Sequence, residues 1–248
     1  LSLLSSWAGH EVANREEAKS IAEQIVEECG CLPLALAMAG ALVKEYGWNS
    51  VLKRLKRAAR TDLMEFAKKF PYEHPNLLKA IQVSIEDLSD EYVKLYMDFA
   101  VFPEDTPIPV AVLHTLWAKP ELDVDDNEFA IKKALNLFAN RSLLQRDKNG
   151  MVIIHDLLLD YIRANADLKS LHQKIVNAYH YISKNGWHNG PNDGYFLQHI
   201  TWHLLNAGLE HYLFSLLFDY RWQKAKLMAG EIDSLILEYN LIKESDDL

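Results

Sequence analysis

His155 and Asp156 are neighbours whose residue types could do chemistry together. A histidine ring nitrogen can donate toward a fixed anion such as a phosphate oxygen. An aspartate at a helix start can accept the free amides of the first turn. On spacing alone, a capping Asp beside a surface His explains the pair better. His199 and His203 are four residues apart, which is metal-ligand spacing on one helical face. With no third or fourth ligand nearby, they read as packed or surface histidines rather than metal ligands. Cys29 and Cys31 stand one residue apart, a spacing suited neither to a structural disulfide nor to a zinc site. They read as buried free thiols in a reducing compartment. The chain has no G-x-x-x-x-G-K-[S/T] phosphate loop, G-x-G-x-x-G fingerprint, H-E-x-x-H helix or G-x-S-x-G elbow, so it reads as no self-sufficient enzyme.

The elements around His155 decide what it can do. It follows an apolar run, Met151–Ile154, and precedes a helix from about Asp156 through Ile162, so rigid elements hold it on both sides. Leu143–Arg146 and Met151–Ile154 are separated by Asp147-Lys148-Asn149-Gly150, and Asn-Gly between apolar runs signals a hairpin. Before it come helices at about Asn76–Glu86, at about Glu91–Ala100 behind a cap at Ser89, at about Val110–Trp117, and at about Asp126–Ala139 after an acidic linker, Glu121–Glu128. Three or so helices followed by a two-stranded wing make a winged-helix domain.

Further upstream, residues 15–28 place Ala18, Ile21, Ala22, Ile25 and Val26 on one helical stripe. Gly30 is positioned as its C-cap and Pro33 at the first turn of the next helix, to about Tyr46. That helix is apolar nearly all round, with small residues at Ala35, Ala37, Ala39, Gly40 and Ala41, and reads as the centre of a helical bundle. A helix at about Trp48–Ala59 carries Lys53, Arg54, Lys56 and Arg57, with Arg60 just beyond; Pro71 and Pro75 then mark a break. From Leu168 only helical patterns follow, at about 168–184, 194–207, 209–218, 221–229 and 231–240. Trp202, Tyr212, Phe214 and Trp222 are expected on their apolar faces, as in stacked helix pairs. The expected class is therefore mainly α: a helical domain at 1–70, a winged-helix domain with a short β-hairpin wing at 71–166, and a superhelical arm of stacked helix pairs at 167–248.

Composition bounds the rest. Hydrophobic residues make up 49% of the 248 and charged residues 25%, an ordinary globular balance. No run of roughly 18 uncharged apolar residues exists to span a membrane; the longest apolar run, Cys31–Val43, is closed by Lys44 and Glu45. The chain opens on Leu1 and an apolar segment to Trp7, without the basic-then-apolar start of a signal peptide. It reads as a piece of a longer cytoplasmic chain. Net charge is −9, and residues 71–160 carry 8 Lys/Arg against 16 Asp/Glu, a local net of −8. A surface for duplex DNA has the opposite sign.

Four segments resemble, in order and at similar spacing, motifs of the NB-ARC family of nucleotide-switch ATPases. Gly30-Cys31-Leu32-Pro33-Leu34-Ala35 is similar to its glycine-leucine-proline-leucine-alanine motif, and Phe102-Pro103-Glu104-Asp105 to its phenylalanine-proline-glutamate-aspartate stretch. Arg141-Ser142-Leu143-Leu144 resembles its arginine-serine-leucine-leucine segment, and Ile154-His155-Asp156 its methionine-histidine-aspartate motif. The helices around Trp202-His203-Leu204 and Asp219–Lys226 are similar to the helical arm of the family's apoptotic members. The resemblance implies that Pro33 contacts the adenine or ribose of a nucleotide and that Ser142 approaches it from the winged-helix domain. It implies that His155 hydrogen-bonds the β-phosphate of ADP and locks a closed, inactive state. It also implies a preceding nucleotide-binding domain that holds ADP or ATP, a following repeat sensor domain of WD type, and self-association on activation in cell-death or immune signalling. Without that preceding domain, the chain by itself is expected to bind ADP negligibly. Two positions depart from the pattern: Ile154 stands where the family has Met, a near volume-conserving swap, and Cys31 where it has Gly.

Two other readings fit parts of the sequence. A DNA-binding winged helix needs a basic recognition helix, yet the candidate has only Lys132 and Lys133 beside Asp123, Asp125, Asp126 and Glu128. A helical scaffold without nucleotide sensing fits the arm, and Lys53–Arg60 would then face an acidic partner or simply solvent.

Overall fold

The computed structural model describes residues 16–58 and 75–245, with 4, 6 and 8. The opening segment as a whole, Arg15, Ala59, Arg60, Pro71 and the expected boundary between residues 70 and 71 lie outside that range. The described chain is mainly helical with one small two-stranded sheet, and it divides into two compact units.

The first unit takes the chain up to Tyr96 and adds residues 133–145. It holds α1 (Glu16–Glu28), α2 (Pro33–Tyr46), α3 (Trp48–Ala58), α4 (Pro75–Glu86) and most of α5 (Asp90–Met97), with the later part of α7 (Val124–Asn140). Helix α1 ends in a Schellman motif: the Cys31 amide donates to the Val26 carbonyl at 3.1 Å and the Gly30 amide to that of Glu27 at 2.9 Å. Gly30 has φ 60, and a Cβ there would come within 2.7 Å of the Asn76 side-chain amide. Pro33 starts α2, where its missing N–H leaves no amide to satisfy. Ala35–Gly40, Leu42 and Val43 of α2 are buried, and the small side chains let α3 and α4 pack closely against it. Helix α3 turns Val51, Leu52, Leu55 and Ala58 inward, each leucine contributing about 1.5–3 kcal/mol.

Of the two cysteines only Cys29 is buried, and burial pushes its thiol up to about 12. Cys31 is exposed, contrary to the expectation of two buried thiols, because the αL exit from α1 turns it outward. Its φ is 58, a conformation that strains a side-chain-bearing residue and suits the glycine of the family motif. Cys31→Gly is therefore expected to stabilise the fold by about 0.5–1 kcal/mol, after the added unfolded-chain entropy is subtracted. Chemical denaturation measures this, and a lower unfolding midpoint would contradict it.

The second unit comprises residues 97–132 and 146–248. A 3-10 turn, Asp98–Val101, is entirely buried and leads through the Phe102–Pro107 loop to α6 (Val110–Trp117). Helix α7 begins at Val124, so the stretch expected as an acidic linker is mostly its first turn. Asp123 caps it, its Oδ1 accepting the Asp126 amide at 2.8 Å, and Asp125 and Asp126 complement the positive end of the helix dipole. The wing is shorter than the apolar runs suggested: β1 is Gln145–Arg146 and β2 Val152–Ile153. Leu143 and Leu144 are core residues at the exit from α7 and never join the ladder. Val152 instead exchanges two hydrogen bonds, both 2.8 Å, with Ile108. Asp147 organises the turn, accepting the Asn149 and Met151 amides at 2.8 Å each.

Helix α8 (Asp156–Ala164) follows the wing. The arm then consists of α9 (Leu168–Ile182), a 3-10 turn at Trp187–Asn189, α10 (Phe196–Asn206), α11 (Glu210–Leu217), α12 (Tyr220–Ala229) and α13 (Ile232–Ser245). Gly190 is required by close approach, since a Cβ there would lie 2.1 Å from the Phe196 ring. Of the aromatics expected on apolar faces, Trp222 is fully buried, whereas Tyr212 and Phe214 are exposed. The short α11 buries Leu213, Leu216 and Leu217 instead.

Candidate functional site

His155 itself caps α8. With φ −69 and ψ 137, it sits just outside the helix, and its Nδ1 accepts the Leu157 amide at 3.3 Å. This corrects the expectation that Asp156 supplies the cap: the strand ends at Ile153, leaving His155 as the last extended residue and Asp156 already helical. The cap has a chemical consequence. A ring nitrogen that accepts an N–H carries no proton, so the proton of the neutral imidazole is on Nε2. The exposed ring therefore presents a donor held in orientation by the helix end. Asp156 is exposed in the first turn, where its charge favours the dipole.

Ser142 occupies the αL position of a second Schellman motif, at the end of α7. The Leu143 amide donates to the Phe138 carbonyl at 2.9 Å and the Ser142 amide to that of Ala139 at 3.0 Å, with Ser142 at φ 58. Strain at a residue without glycine's freedom is a feature of functional positions. The Ser142 side chain is buried, and its Oγ finds no hydrogen-bond partner among the described residues. Pro33 is exposed at the start of α2. Pro33 and Ser142 lie in the first compact unit and His155 in the second. Within the first unit, Arg141, next to Ser142, reaches Glu45 and Tyr46 at the far end of α2. Pro33 thus lies about 20 Å along the helix axis from where Arg141 is anchored, at about 1.5 Å per residue.

Sequence spacing gave no sign of Arg163, which fixes the Phe102–Asp105 loop to the last turn of α8. Its Nε donates to the Ala100 carbonyl at 3.2 Å, its Nη2 to that of Phe102 at 2.8 Å, and its Nη1 pairs with Glu104. One helix therefore carries His155 at its start and holds the Phe-Pro-Glu-Asp loop at its end. Asp98, buried beneath the loop, accepts the Trp117 indole N–H at 2.9 Å and Lys174 of α9 at 2.6 Å. Burial raises its carboxyl even against those donors.

His199 and His203 do not face a common ligand. His203 is fully buried, its Nδ1 2.8 Å from His172 Nδ1 and its Nε2 2.8 Å from the Tyr195 hydroxyl. The His199 ring lies 4.3 Å from the Tyr195 ring. Among the described residues, no group of three or more His, Cys, Asp or Glu is placed to hold a metal ion. Burial pushes His172 down to about 4, with Arg163 adding to it, and His199 down to about 4, aided by Lys226 against Glu231 and Asp193. Burial also holds His203 well below the usual range, with His172 and His199 reinforcing it. For these groups the folded pKa is below the unfolded value, so the unfolded chain takes up protons first. Their stabilisation is complete above about pH 6.5 and is lost as pH falls from there toward 4. The melting temperature is expected to drop steadily across that window and less steeply in His172→Gln. A profile flat from pH 7 to 4.5 would contradict it.

Comparison with known proteins joins these observations. Residues 91–162 match the family described as the Apoptotic protease-activating factor 1-like winged-helix domain, and residues 168–246 match the APAF-1 helical domain. The Apoptotic protease-activating factor 1 of Danio rerio is 33% identical over 227 residues, 88% of this chain and 17% of the relative. That of Homo sapiens is 28% identical over 235 residues, 91% of this chain and 18% of the relative. Disease resistance protein ADR1 of Arabidopsis thaliana is 33% identical over 141 residues, 56% of this chain and 16% of the relative. The chain thus spans less than a fifth of the length of these curated relatives. With a winged-helix domain and a helical arm of this kind in succession, and apoptotic and plant-resistance relatives matching the same chain, the protein belongs to the NB-ARC family.

Proposed function

We propose that this chain is the regulatory region of a nucleotide-dependent switch in cell-death or immune signalling. It closes over ADP held by a preceding phosphate-loop domain and relays a sensor signal to self-association. The region is not itself an enzyme in this reading; the complete cytoplasmic protein exchanges ADP for ATP. The carrying observation is the cap at α8: Leu157 occupies Nδ1 of His155, so Nε2–H is the group offered outward, toward a β-phosphate. The buried, unpartnered Oγ of Ser142 and the exposed Pro33 at a helix start support phosphate-side and base-side contacts respectively. Three expected partners belong to the reading: the preceding nucleotide-binding domain, a following WD-type sensor, and further copies of the protein. The exposed Leu227, Met228, Ile232, Ile236 and Leu237 of α12 and α13 suit an arm that docks onto such a sensor.

In the longer protein carrying the phosphate-loop domain, His155→Ala is expected to raise self-association without an activating signal. Unchanged association of the resting protein by analytical ultracentrifugation would count against the sensor role. The alternative of a DNA-binding winged helix is disfavoured by the acids in the first turn of α7. The scaffold alternative draws on the α3 cations, yet Arg54 is paired with Asp87 and Lys56 donates to Gln24, which leaves a weaker docking face than the sequence offered.

A further inference from the structure

We propose that Arg141 is the positioning residue for Ser142, an ion-pair latch that fixes the end of α7 to the ends of α2 and α4. This deepens the reading given above and rests on it, because Ser142 matters only if it faces a nucleotide.

The Arg141 guanidinium is almost fully buried. Its Nη1 lies 2.8 Å from Asp87 Oδ2 and 3.5 Å from the Ser84 carbonyl. Its Nη2 donates to Glu45 Oε2 at 3.1 Å and to the Tyr46 hydroxyl at 3.3 Å. The partners are themselves tied together. Asp87 Oδ1 accepts Arg54 at 2.7 Å, the Arg54 guanidinium lies 4.3 Å from the centre of the Tyr46 ring, and the Tyr46 hydroxyl donates to Glu45 Oε1 at 2.8 Å. Two cations and two carboxylates thus balance in one network drawn from α2, α3, the end of α4 and α7.

The latch brackets Ser142. On one side Arg141 is pinned to the bundle; on the other the Leu143 carbonyl accepts the buried Tyr96 hydroxyl at 3.0 Å. Between them Ser142 is held at φ 58, a backbone state that persists only where the surroundings over-determine it. A planar guanidinium suits this task, because its fork engages several oxygens at once and fixes direction as well as distance. Helix α2, whose far end carries Glu45 and Tyr46, begins with Pro33. The network therefore ties Ser142 to the element that presents Pro33 and sets the span between the two proposed nucleotide contacts.

The test is a double-substitution cycle in the longer, nucleotide-loaded protein, read as the rate of ADP release with hydrogen exchange at residues 138–145 measured in parallel. Arg141→Met is expected to speed release about tenfold or more and to raise exchange at those residues. Arg141→Lys, which keeps the charge and the fold, is expected to fall between it and the parent. The decisive readout is non-additivity: Arg141→Met combined with Ser142→Ala releases ADP no faster than the faster single variant. Additive effects would show a merely structural role and overturn the proposal. Should Ser142→Ala alone leave release unchanged, the role of Ser142 falls, and the latch with it. Should Ser142→Ala speed release while both Arg141 variants leave release and exchange unchanged, the latch alone falls.

Discussion

Replacing Lys226 with methionine is expected to destabilise the arm by about 3–5 kcal/mol, because it strands a carboxylate inside the protein. Lys226 and Glu238 pair between α12 and α13 with almost no exposure of either side chain. Glu238 also accepts the Thr201 hydroxyl at 2.9 Å and the Trp222 indole N–H at 3.4 Å, and the Lys226 ammonium lies 5.5 Å from the Trp222 ring centre. Burial presses both members toward their neutral forms, Lys226 downward and Glu238 upward, with their mutual attraction opposing it. Without the lysine, Glu238 keeps the desolvation penalty and loses the compensation. Its folded pKa then stands further above the unfolded value, so the deficit is largest at neutral pH and shrinks on acidification. The double variant Lys226→Met/Glu238→Leu removes both charges and is expected to return to within about 1 kcal/mol of the parent. Denaturant titration at pH 7 decides: a Lys226→Met loss below about 1 kcal/mol would mean that water reaches the pair.

The second large effect concerns His155, where two roles must be separated. As a cap it accepts one amide at 3.3 Å, a long bond whose loss on His155→Ala is expected to cost about 0.5–1 kcal/mol of stability. In the proposed role of donor to phosphate it would form a charge-assisted hydrogen bond worth about 1.5–3 kcal/mol, or roughly tenfold to a hundredfold in a two-state balance. His155→Asp divides these roles. A carboxylate caps as well as imidazole and favours the helix dipole, yet it has no proton to give and repels phosphate. His155→Asp is therefore expected to match the parent in thermal stability while losing the nucleotide lock as fully as His155→Ala does.

The features most legible in the sequence were local ones. Hydrophobic periodicity placed nearly every helix to within a residue or two, and Gly30 and Pro33 marked an end and a start through backbone geometry that only those residues favour. The cap at α8 falls one residue before the expected Asp156. His and Asp can both accept an amide there, and the choice depends on where the strand stops, which a tertiary bridge from Val152 to Ile108 decides. The acids at 123–128 read as a linker because charge resembles solvent exposure, whereas in the structure they start a helix. Arg141 is legible as part of a motif but not as an anchor, since its partner Glu45 is 96 residues away in sequence. The Lys226–Glu238 pair was likewise invisible, because spacing alone does not report that two charges meet with water excluded. The histidines at 199 and 203 share a helical spacing, but His203 turns to His172 on another helix.

The most direct measurement of the nucleotide-sensing role is ADP release from the longer protein carrying the phosphate-loop domain, followed by displacement of a fluorescent analogue. The parent is expected to release ADP slowly, and His155→Ala and His155→Asp about tenfold to a hundredfold faster, with His155→Asp retaining the parent's melting temperature. Release at the parent rate from a stably folded His155→Asp protein would contradict the assignment of His155 as the residue that reads the nucleotide.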